Sequence, residues 1–283
     1  MQNKKSVTVI GGGLGGMSAA ISLAAEEFKV QLFEKNDHLG GKLNQQTIEG
    51  FTFDLGPSIL TMPHIFSHLF QMHGRSLDEY LHTKRLDLEW RNFFEDGTVI
   101  DLYSQPDDML HANQALTSQD IRDIKEFLHY AGKINGLIEQ GYFVKELETI
   151  KEVVKFYGLF KSWFGMDYFS SMADGVKRRI KNPYLQQIYN YFIKYVGSSP
   201  YDAPAVLNLL PYIQYKYGLW YTPGGMYKLS EALQSLISEL DIEVETGCEV
   251  VELKVNDQEN NRKNDRENGS SGCCKSQVRR CSH

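Results

Sequence analysis

Cysteine is scarce in this sequence, and the cysteines present form neither a disulfide framework nor a zinc site. Cys248 is the single cysteine before Asn256, whereas Cys273, Cys274 and Cys281 crowd the end of the chain. No group of His and Cys upstream matches them at the spacing of zinc ligands. Because disulfides accumulate in oxidising compartments, their absence favours the cytoplasm as the location.

Long apolar runs and a strong charge of one sign are also missing. No uninterrupted apolar stretch approaches the length that spans a bilayer, and no secretory signal precedes the first predicted strand. We therefore expect neither a transmembrane helix nor export. The formal net charge of −6 gives no reason to expect a nucleic-acid partner.

A recognisable set of metal ligands, or of nucleophile and base, is absent as well. The histidines are scattered, and His64, His68 and His73 lie near helical spacing without carboxylates in the pattern. Surface or packing roles are expected for them rather than metal binding. No metal site is predicted, and no catalytic residue is assigned.

The chain does contain a strand followed by a glycine-rich turn. The apolar run from Ser6 to Ile10 leads into G-x-G-x-x-G, and small and apolar residues then predict a helix. Gly11 allows the tight turn, Gly13 lets the backbone approach a pyrophosphate, and Gly16 permits close packing of helix on strand. The pyrophosphate would lie on the unpaired N–H groups and positive dipole end of that helix.

A second predicted strand, Lys29 to Phe33, ends at an acidic residue. Glu34 lies at the distance along the chain expected for a carboxylate that binds a ribose hydroxyl. A carboxylate there would repel a 2′-phosphate, which argues against that class of nucleotide. A βαβ unit without a nucleotide is the alternative, but the two motifs together predict a dinucleotide site.

The residues after this strand carry a family resemblance. Residues 34–43, with the Gly40-Gly41 pair followed by Lys42, resemble the extension of the FAD site in the superfamily of amine oxidases and carotenoid desaturases. Residues 50–58 run as a strand into a Gly56-Pro57 turn, which in that superfamily lies near the flavin. An ordinary turn is the alternative, since Asp, Gly and Pro favour turns in any case.

Further motifs resemble bacterial phytoene-desaturase-type carotenoid oxidoreductases. They are residues 53–63, 94–103, 182–185, 195–205 and 221–226. The pattern is most similar to the diaponeurosporene oxygenase branch of that family, which implies FAD as cofactor and oxidation of the terminal methyl of a thirty-carbon carotenoid. The alternatives are a desaturase that inserts double bonds, an amine-oxidase-like flavoenzyme, and an inactive fragment that only binds nucleotide.

The resemblance also implies a set of cofactor-binding residues, in which the backbone of Val250 would hold the adenine ring. A simple strand valine is the alternative for Val250. The complete set is Gly11, Gly13, Leu14, Gly15, Gly16, Glu34, Lys35, Gly40, Gly41, Lys42, Leu43, Gly56, Pro57, Ser58 and Val250.

The middle of the chain reads as helical and aromatic. Residues 153–164 predict either a core helix or an interfacial helix resting on lipid. The tyrosine-rich residues 189–197 and 212–217 either line an apolar tunnel or pack the lobe. Because the implied substrate partitions into lipid, we expect peripheral association with the inner face of the cell membrane. The oligomeric state is left open.

The expected fold is therefore α/β. A Rossmann-like FAD-binding domain, residues 1–103 and 222–255, surrounds an inserted and mainly helical substrate lobe, residues 104–221. The polar residues 256–283 predict a disordered tail. The family continues here with a long second half, so we expect that half to be missing. A codon-compatible reading of residues 272–283 in another phase restores a strand-like sequence, which predicts a translational frameshift.

Overall fold

The structure is a computed structural model that describes residues 5–145, 167, 170–255 and 276–280. Its strands are β1 Ser6–Ile10, β2 Lys29–Phe33, β3 Gln45–Ile48, β4 Phe51–Asp54, β5 Leu60–Thr61, β6 Lys84–Arg85, β7 Leu88–Phe93, β8 Val99–Tyr103, β9 Leu219–Tyr221, β10 Glu243–Glu245, β11 Val250–Val255 and β12 Ser276–Arg280. Its α-helices are α1 Leu14–Ala25, α2 Pro63–Gln71, α3 Pro106–Ala112, α4 Ser118–Lys145, α5 Met172–Arg179, α6 Pro183–Tyr191, α7 Leu209–Tyr217 and α8 Tyr227–Glu239.

The described residues fall into two compact units. One comprises the chain up to Lys84 together with the chain from Tyr221 onward, and the other is Arg85–Trp220. The sequence-based boundary at residue 103 would assign the β7–β8 hairpin to the first unit. The hairpin lies in the second because Asn113, at the end of α3, exchanges hydrogen bonds of 2.7 and 2.9 Å with the backbone of Asp101.

A parallel sheet forms the base of the first unit. Its strand order is β1-β2-β10, with Val7 opposite Val30 and Val244 opposite Leu32. Helix α1 is the crossover between β1 and β2, because two parallel strands can be joined only by a connection that returns along the sheet, usually a helix. Helix α8 packs on α1 and buries apolar residues that recur at helical spacing, which are Leu229, Ala232, Leu233, Leu236 and Ile237. The predicted Rossmann-like α/β fold is confirmed.

The second unit is mainly helical, as predicted. Its core gathers side chains from α4, α5 and α6 with the inward face of β8, among them Ile100, Phe127 and Val176. Helix α4 begins at Ser118, and the residue before it, Thr117, is its cap. Thr117 and Asp120 bond each other's backbone N–H groups at 3.3 and 2.8 Å, because the acidic residue lies three positions after Thr117.

The hairpins follow local turn chemistry. Asp96-Gly97, a pair that favours hairpin turns, lies between β7 and β8, and Gly97 has a φ of +84°. Glu49 and Gly50, which join β3 and β4, both have positive φ, as a two-residue turn of type I′ requires.

The last strand departs from the prediction of a disordered tail. Residues 276–280 form β12 and pair antiparallel with β11, with Leu253 opposite Val278. Disorder was therefore the wrong prediction for these five residues, since the free backbone groups of β11 provide a ladder to pair with. Residues 256–275 and 281–283 lie outside the described residues, and the frameshift stays a prediction.

No helix in the described part of the chain has both the length and the apolar character needed to cross a bilayer. The candidate interfacial segment, residues 153–164, lies outside the described residues.

Candidate dinucleotide-binding site

The N-terminus of α1 presents backbone N–H groups with no side chain to satisfy them. Gly13 is the N-cap residue, no side chain caps the helix, and its first turn contains no acidic residue. The first helical hydrogen bond runs from the N–H of Met17 to the carbonyl of Gly13 at 2.9 Å. The N–H groups before Met17 are thus directed out of the helix end, where an anion with several acceptor oxygens fits.

Two of the three motif glycines, Gly11 and Gly16, have the steric roles predicted for them, whereas the approach of a pyrophosphate to Gly13 stays a prediction. Gly11 has a φ of +100°, which side chains rarely adopt. A Cβ on Gly16 would lie 1.8 Å from the carbonyl oxygen of Gly11, so any side chain there separates α1 from β1. By contrast, a Cβ on Gly13 would meet nothing closer than 3.8 Å, and one on Gly15 nothing within 4 Å. Open space thus faces Gly13 and Gly15, on the side where a pyrophosphate would lie.

Glu34 is a buried carboxylate that binds the glycine loop itself. Its Oε2 accepts a hydrogen bond of 2.6 Å from the N–H of Gly12. Its Oε1 accepts two from Asn36, from the backbone N–H at 2.8 Å and from Nδ2 at 2.7 Å. A carboxylate accepts about four hydrogen bonds, so one acceptor position is left for a ribose hydroxyl.

Sequence reasoning missed Gly12 and Asn36. A Cβ on Gly12 would lie 2.3 Å from the Leu39 side chain and 3.2 Å from Glu34 Oε2, so this middle glycine is needed for the approach of Glu34. The run of three consecutive glycines, Gly11 to Gly13, was the signal in the sequence that could have identified Gly12. No sequence pattern indicates the role of Asn36, because its hydrogen bonds to Glu34 depend on how the chain turns after β2.

The Gly40-Gly41 extension contacts the glycine loop through the backbone. The N–H of Gly40 donates to the carbonyl of Gly12 at 2.9 Å, and a Cβ on Gly41 would lie 2.9 Å from Gly13 Cα. Both glycines have positive φ. The structure thus brings the two predicted motifs side by side.

The remaining residues of the extension differ in exposure. Leu43 is buried, whereas Lys35 and Lys42 are exposed. Lys35 and Lys42 are therefore available to an anionic group, and their contact with a cofactor stays a prediction.

The Gly-Pro turn after β4 lies against the same extension. A Cβ on Gly56 would lie 1.9 Å from the carbonyl oxygen of Lys42, so Gly56 is required for this approach. Pro57 and Ser58 follow it and are exposed. The Asp-Leu-Gly-Pro motif is thus part of a packed loop and not an isolated turn.

Asp54 links this turn to the start of α8. Its Oδ2 accepts a hydrogen bond of 3.0 Å from the N–H of Met226, the N-cap residue of α8. Gly225, at a φ of +94°, would place a Cβ 2.9 Å from both carboxylate oxygens of Asp54. Gly225 therefore accommodates Asp54, a contact that neither motif indicates alone.

Val250 begins β11, half-buried, after a turn that lies beside Glu34. In that turn the N–H of Gly247 donates to the carbonyl of Asn36 at 2.7 Å, and the N–H of Cys248 to the carbonyl of Glu34 at 2.9 Å. This brings the Val250 segment to the carboxyl end of β2. A contact between Val250 and adenine stays a prediction.

A cleft of about 500 Å³ lies along these loops, within the usual size range of ligand sites. It is lined by Asp37, His38, Asn44, Gln45, Gln46, Leu55 and Tyr227. The N–H groups at the start of α1 and the open face of the glycine loop fit the pyrophosphate of a dinucleotide, whereas the residues that line the cleft come from beside that loop and not from it. Among the described residues, no group of three His, Cys, Asp or Glu is placed to hold a metal ion.

The second unit contains a buried carboxyl that sequence reasoning did not identify. Burial raises the pKa of Glu89 in β7 to about 7, opposed by a hydrogen bond from Gln214 and by the charge of Arg85. Glu89 Oε2 accepts from Gln214 Nε2 at 2.6 Å, and its Oε1 is buried without a partner in the described residues. The carboxyl lies on a cavity of about 20 Å³ that Tyr189 and Phe192 also line.

Comparison with known proteins agrees with this architecture. Residues 9–76 match the family described as NAD(P)-binding Rossmann-like domain. The chain is 49% identical over 251 residues to a 4,4'-diaponeurosporene oxygenase of Staphylococcus haemolyticus, covering 89% of this chain and 50% of that protein. It is 51% identical over 255 residues to a 4,4'-diapolycopene oxygenase of Methylomonas sp, covering 90% and 51%. The chain thus spans about half the length of these curated relatives.

Solved structures show the fold alone, since their identities are low. An oxidoreductase from Methanosarcina mazei superposes with a TM-score of 0.57 at 16% identity, covering 98% of this chain and 57% of that one. A putrescine oxidase superposes with a TM-score of 0.56 at 16% identity, covering 90% of this chain and 53% of that one.

The resemblance to carotenoid oxidoreductases, predicted from the motifs, is confirmed by the two relatives that are 49% and 51% identical to this chain.

Proposed function

We propose that this chain carries the cofactor-binding part of an FAD-dependent oxidoreductase that oxidises a terminal methyl group of a thirty-carbon carotenoid. The observation that supports it most is an identity of 49 to 51% with relatives named as diaponeurosporene and diapolycopene oxygenases. The aligned length exceeds 250 residues in both cases and therefore extends well beyond the nucleotide motif.

FAD is proposed as the cofactor because of the Gly40-Gly41 pair. The extension at Gly40-Gly41, which packs on the glycine loop, is the feature that resembles flavoproteins. FAD, when bound, would supply the oxidant for a substrate that has no ionisable group, and the protein would supply orientation. The N–H groups at the start of α1 would hold the pyrophosphate and Glu34 a ribose hydroxyl, with Lys35 and Lys42 near the anionic groups.

A carotenoid needs an apolar surface and no charged docking group, so we assign no catalytic residue. Because such a substrate partitions into lipid, we also propose peripheral association with the inner face of the cell membrane, from the cytoplasm. Residues 153–164, first suggested for this contact, lie outside the described residues.

Product analysis tests the activity. The protein is expressed in a bacterial host that accumulates a colourless or yellow thirty-carbon carotenoid, and the extracted pigments are identified by mass spectrometry. A product that has gained oxygen at a terminal carbon supports the proposal. Products with only further double bonds would identify a desaturase, and flavin binding without any product would identify an inactive nucleotide-binding fragment.

A matched pair of variants tests the cofactor assignment. Gly13→Trp fills the open face of the loop and should abolish the flavin absorption of the purified protein. Gly136→Trp places the same ring on α4, where nothing lies within 4 Å, and should retain it. A full flavin spectrum in Gly13→Trp would show that this loop does not bind the cofactor.

A further inference from the structure

The tyrosine-rich residues 189–197 have two faces with different environments. Tyr189, Phe192 and Ile193 are buried, and the Tyr189 ring meets Phe127 edge-on at 5.0 Å. This inward face packs the core of the second unit. Tyr191 and Val196, by contrast, are 58% and 53% exposed. Packing in the core thus explains the buried residues of this segment but not the exposed ones.

The exposed face is built around one lysine. Lys194 Nζ lies 3.6 Å from the ring centroid of Trp90, 4.8 Å from that of Tyr191 and 5.3 Å from that of Tyr195. We call Tyr191, Lys194, Tyr195 and Val196 the tyrosine patch. The contacts with Lys194 show that its aromatic members lie together on one surface.

The ammonium group of Lys194 is held by ring faces and not by a carboxylate. Burial alone lowers its pKa, with no acidic group of the described residues contributing. Between Tyr189 and Tyr201 the sequence contains no other charged residue. The patch therefore combines apolar rings, one aliphatic side chain, phenol hydroxyls and an uncompensated positive charge.

This combination matches the interfacial layer of a phospholipid bilayer. Tyrosine places an apolar ring and a polar hydroxyl at that depth, and lysine buries its stem while its ammonium reaches the phosphates. An uncompensated cation complements the anionic phosphate. Lysine is depleted at interfaces between proteins, which makes a protein partner the poorer fit.

We propose that the tyrosine patch is a docking surface for the phosphate-bearing headgroup layer of a lipid bilayer. This inference rests on the proposed membrane association and assigns it a contact surface among the described residues. It involves no residue of the dinucleotide site, so the surface and the carotenoid chemistry can be tested separately.

Vesicle flotation tests the surface. The double variant Tyr191→Ser/Val196→Ser removes exposed apolar groups, and it spares Tyr195, whose hydroxyl donates to Gln214 at 3.0 Å. We expect binding to phosphatidylcholine vesicles to weaken about tenfold, since the 58% of Tyr191 and the 53% of Val196 that are exposed amount together to about one whole side chain, whose burial contributes on that order. Lys194→Gln should weaken binding about fivefold, and only when the vesicles contain anionic phosphatidylglycerol.

Matched controls come from the same unit. Phe93→Ser removes an aromatic ring that is 75% exposed on β7, and Lys177→Gln removes an exposed charge on α5. Both should float like the wild type. Far-ultraviolet circular dichroism of each variant checks that the fold is retained.

Each other outcome has a distinct meaning. If the wild type floats and the double variant floats equally well, the patch is not the docking surface, although membrane association stands. If the wild type stays with the unbound fraction, membrane association and the patch both fail, while product analysis still decides the activity. If the double variant loses only self-association by light scattering, the patch is a protein interface and the proposal is wrong.

Discussion

Glu89 offers a test of how well the second unit tolerates a buried charge. Replacing Glu89 with glutamine keeps the side-chain shape and an acceptor for Gln214, and it removes the titration. We expect the Glu89→Gln variant to unfold at higher denaturant than the wild type above pH 7, and to lose that advantage below pH 5.

The magnitude follows from the raised pKa. The pKa of Glu89 rises from an ordinary 4.5 to about 7 because burial penalises the charged form. Each step of one in pKa corresponds to about 1.4 kcal/mol, so ionising Glu89 in the folded protein costs about 3 kcal/mol more than in the unfolded chain.

The sign is that of a carboxyl whose pKa is raised by folding. Its contribution to stability is fully present below pH 4.5 and is lost as the pH rises to about 7. Arg85 and Gln214 oppose this effect, while Tyr189 and Tyr195 face the carboxyl without a charge of their own at these pH values.

Urea unfolding followed by tryptophan fluorescence, at pH 5 and pH 8, measures the effect. The difference in free energy of unfolding between variant and wild type should change by about 2.5 kcal/mol between these pH values, since the unfolded chain has already lost part of its protons at pH 5. Glu126→Gln, on the exposed side of α4, is the matched control and should show no such change. A difference that stays constant with pH would show that Glu89 ionises at its ordinary pKa.

Two further predictions concern the first unit. Gly16→Ala should destabilise the protein by about 2 kcal/mol in urea unfolding, because its Cβ overlaps the Gly11 carbonyl at 1.8 Å, whereas Gly15→Ala, with nothing within 4 Å, should retain the stability. Equal stability of the two variants would contradict the packing role of Gly16. Asp54→Ala should cost about 1 kcal/mol by removing the acceptor for the Met226 N–H, and Asp54→Asn, which keeps an acceptor oxygen, should recover most of it. No recovery would mean that charge and not hydrogen bonding is what Asp54 contributes.

Local chemistry made much of the fold predictable from the sequence. Gly11 and Gly97 occupy positive φ in turns that join adjacent elements, and such turns depend only on the residues within them. The apolar residues of helix α8 recur every three or four positions, and this spacing by itself indicates which of them are buried. The glycine loop was predictable for the same reason, as strand, turn and helix follow one another directly.

Contacts between distant parts of the chain could not be predicted from the sequence. Asp54 bonds Met226, 172 residues away, and Gly56 touches Lys42 across a hairpin. Each motif shows that a turn is present, but which backbone it meets depends on how whole elements pack. Even at short range the cap of α4 is not fixed by residue type, because Thr117 and Ser118 are both good caps and the hydrogen bonds with Asp120 decide between them.

Burial is the other property that tertiary structure alone decided. The alternation of β7 does not show that Glu89 faces a small enclosed cavity, because that depends on side chains from α3, α4, α6 and α7 closing over it. Likewise, tyrosine at positions 189, 191 and 195 looks the same in sequence. Packing buries the first and leaves the other two exposed, since a ring becomes core only where another element covers it.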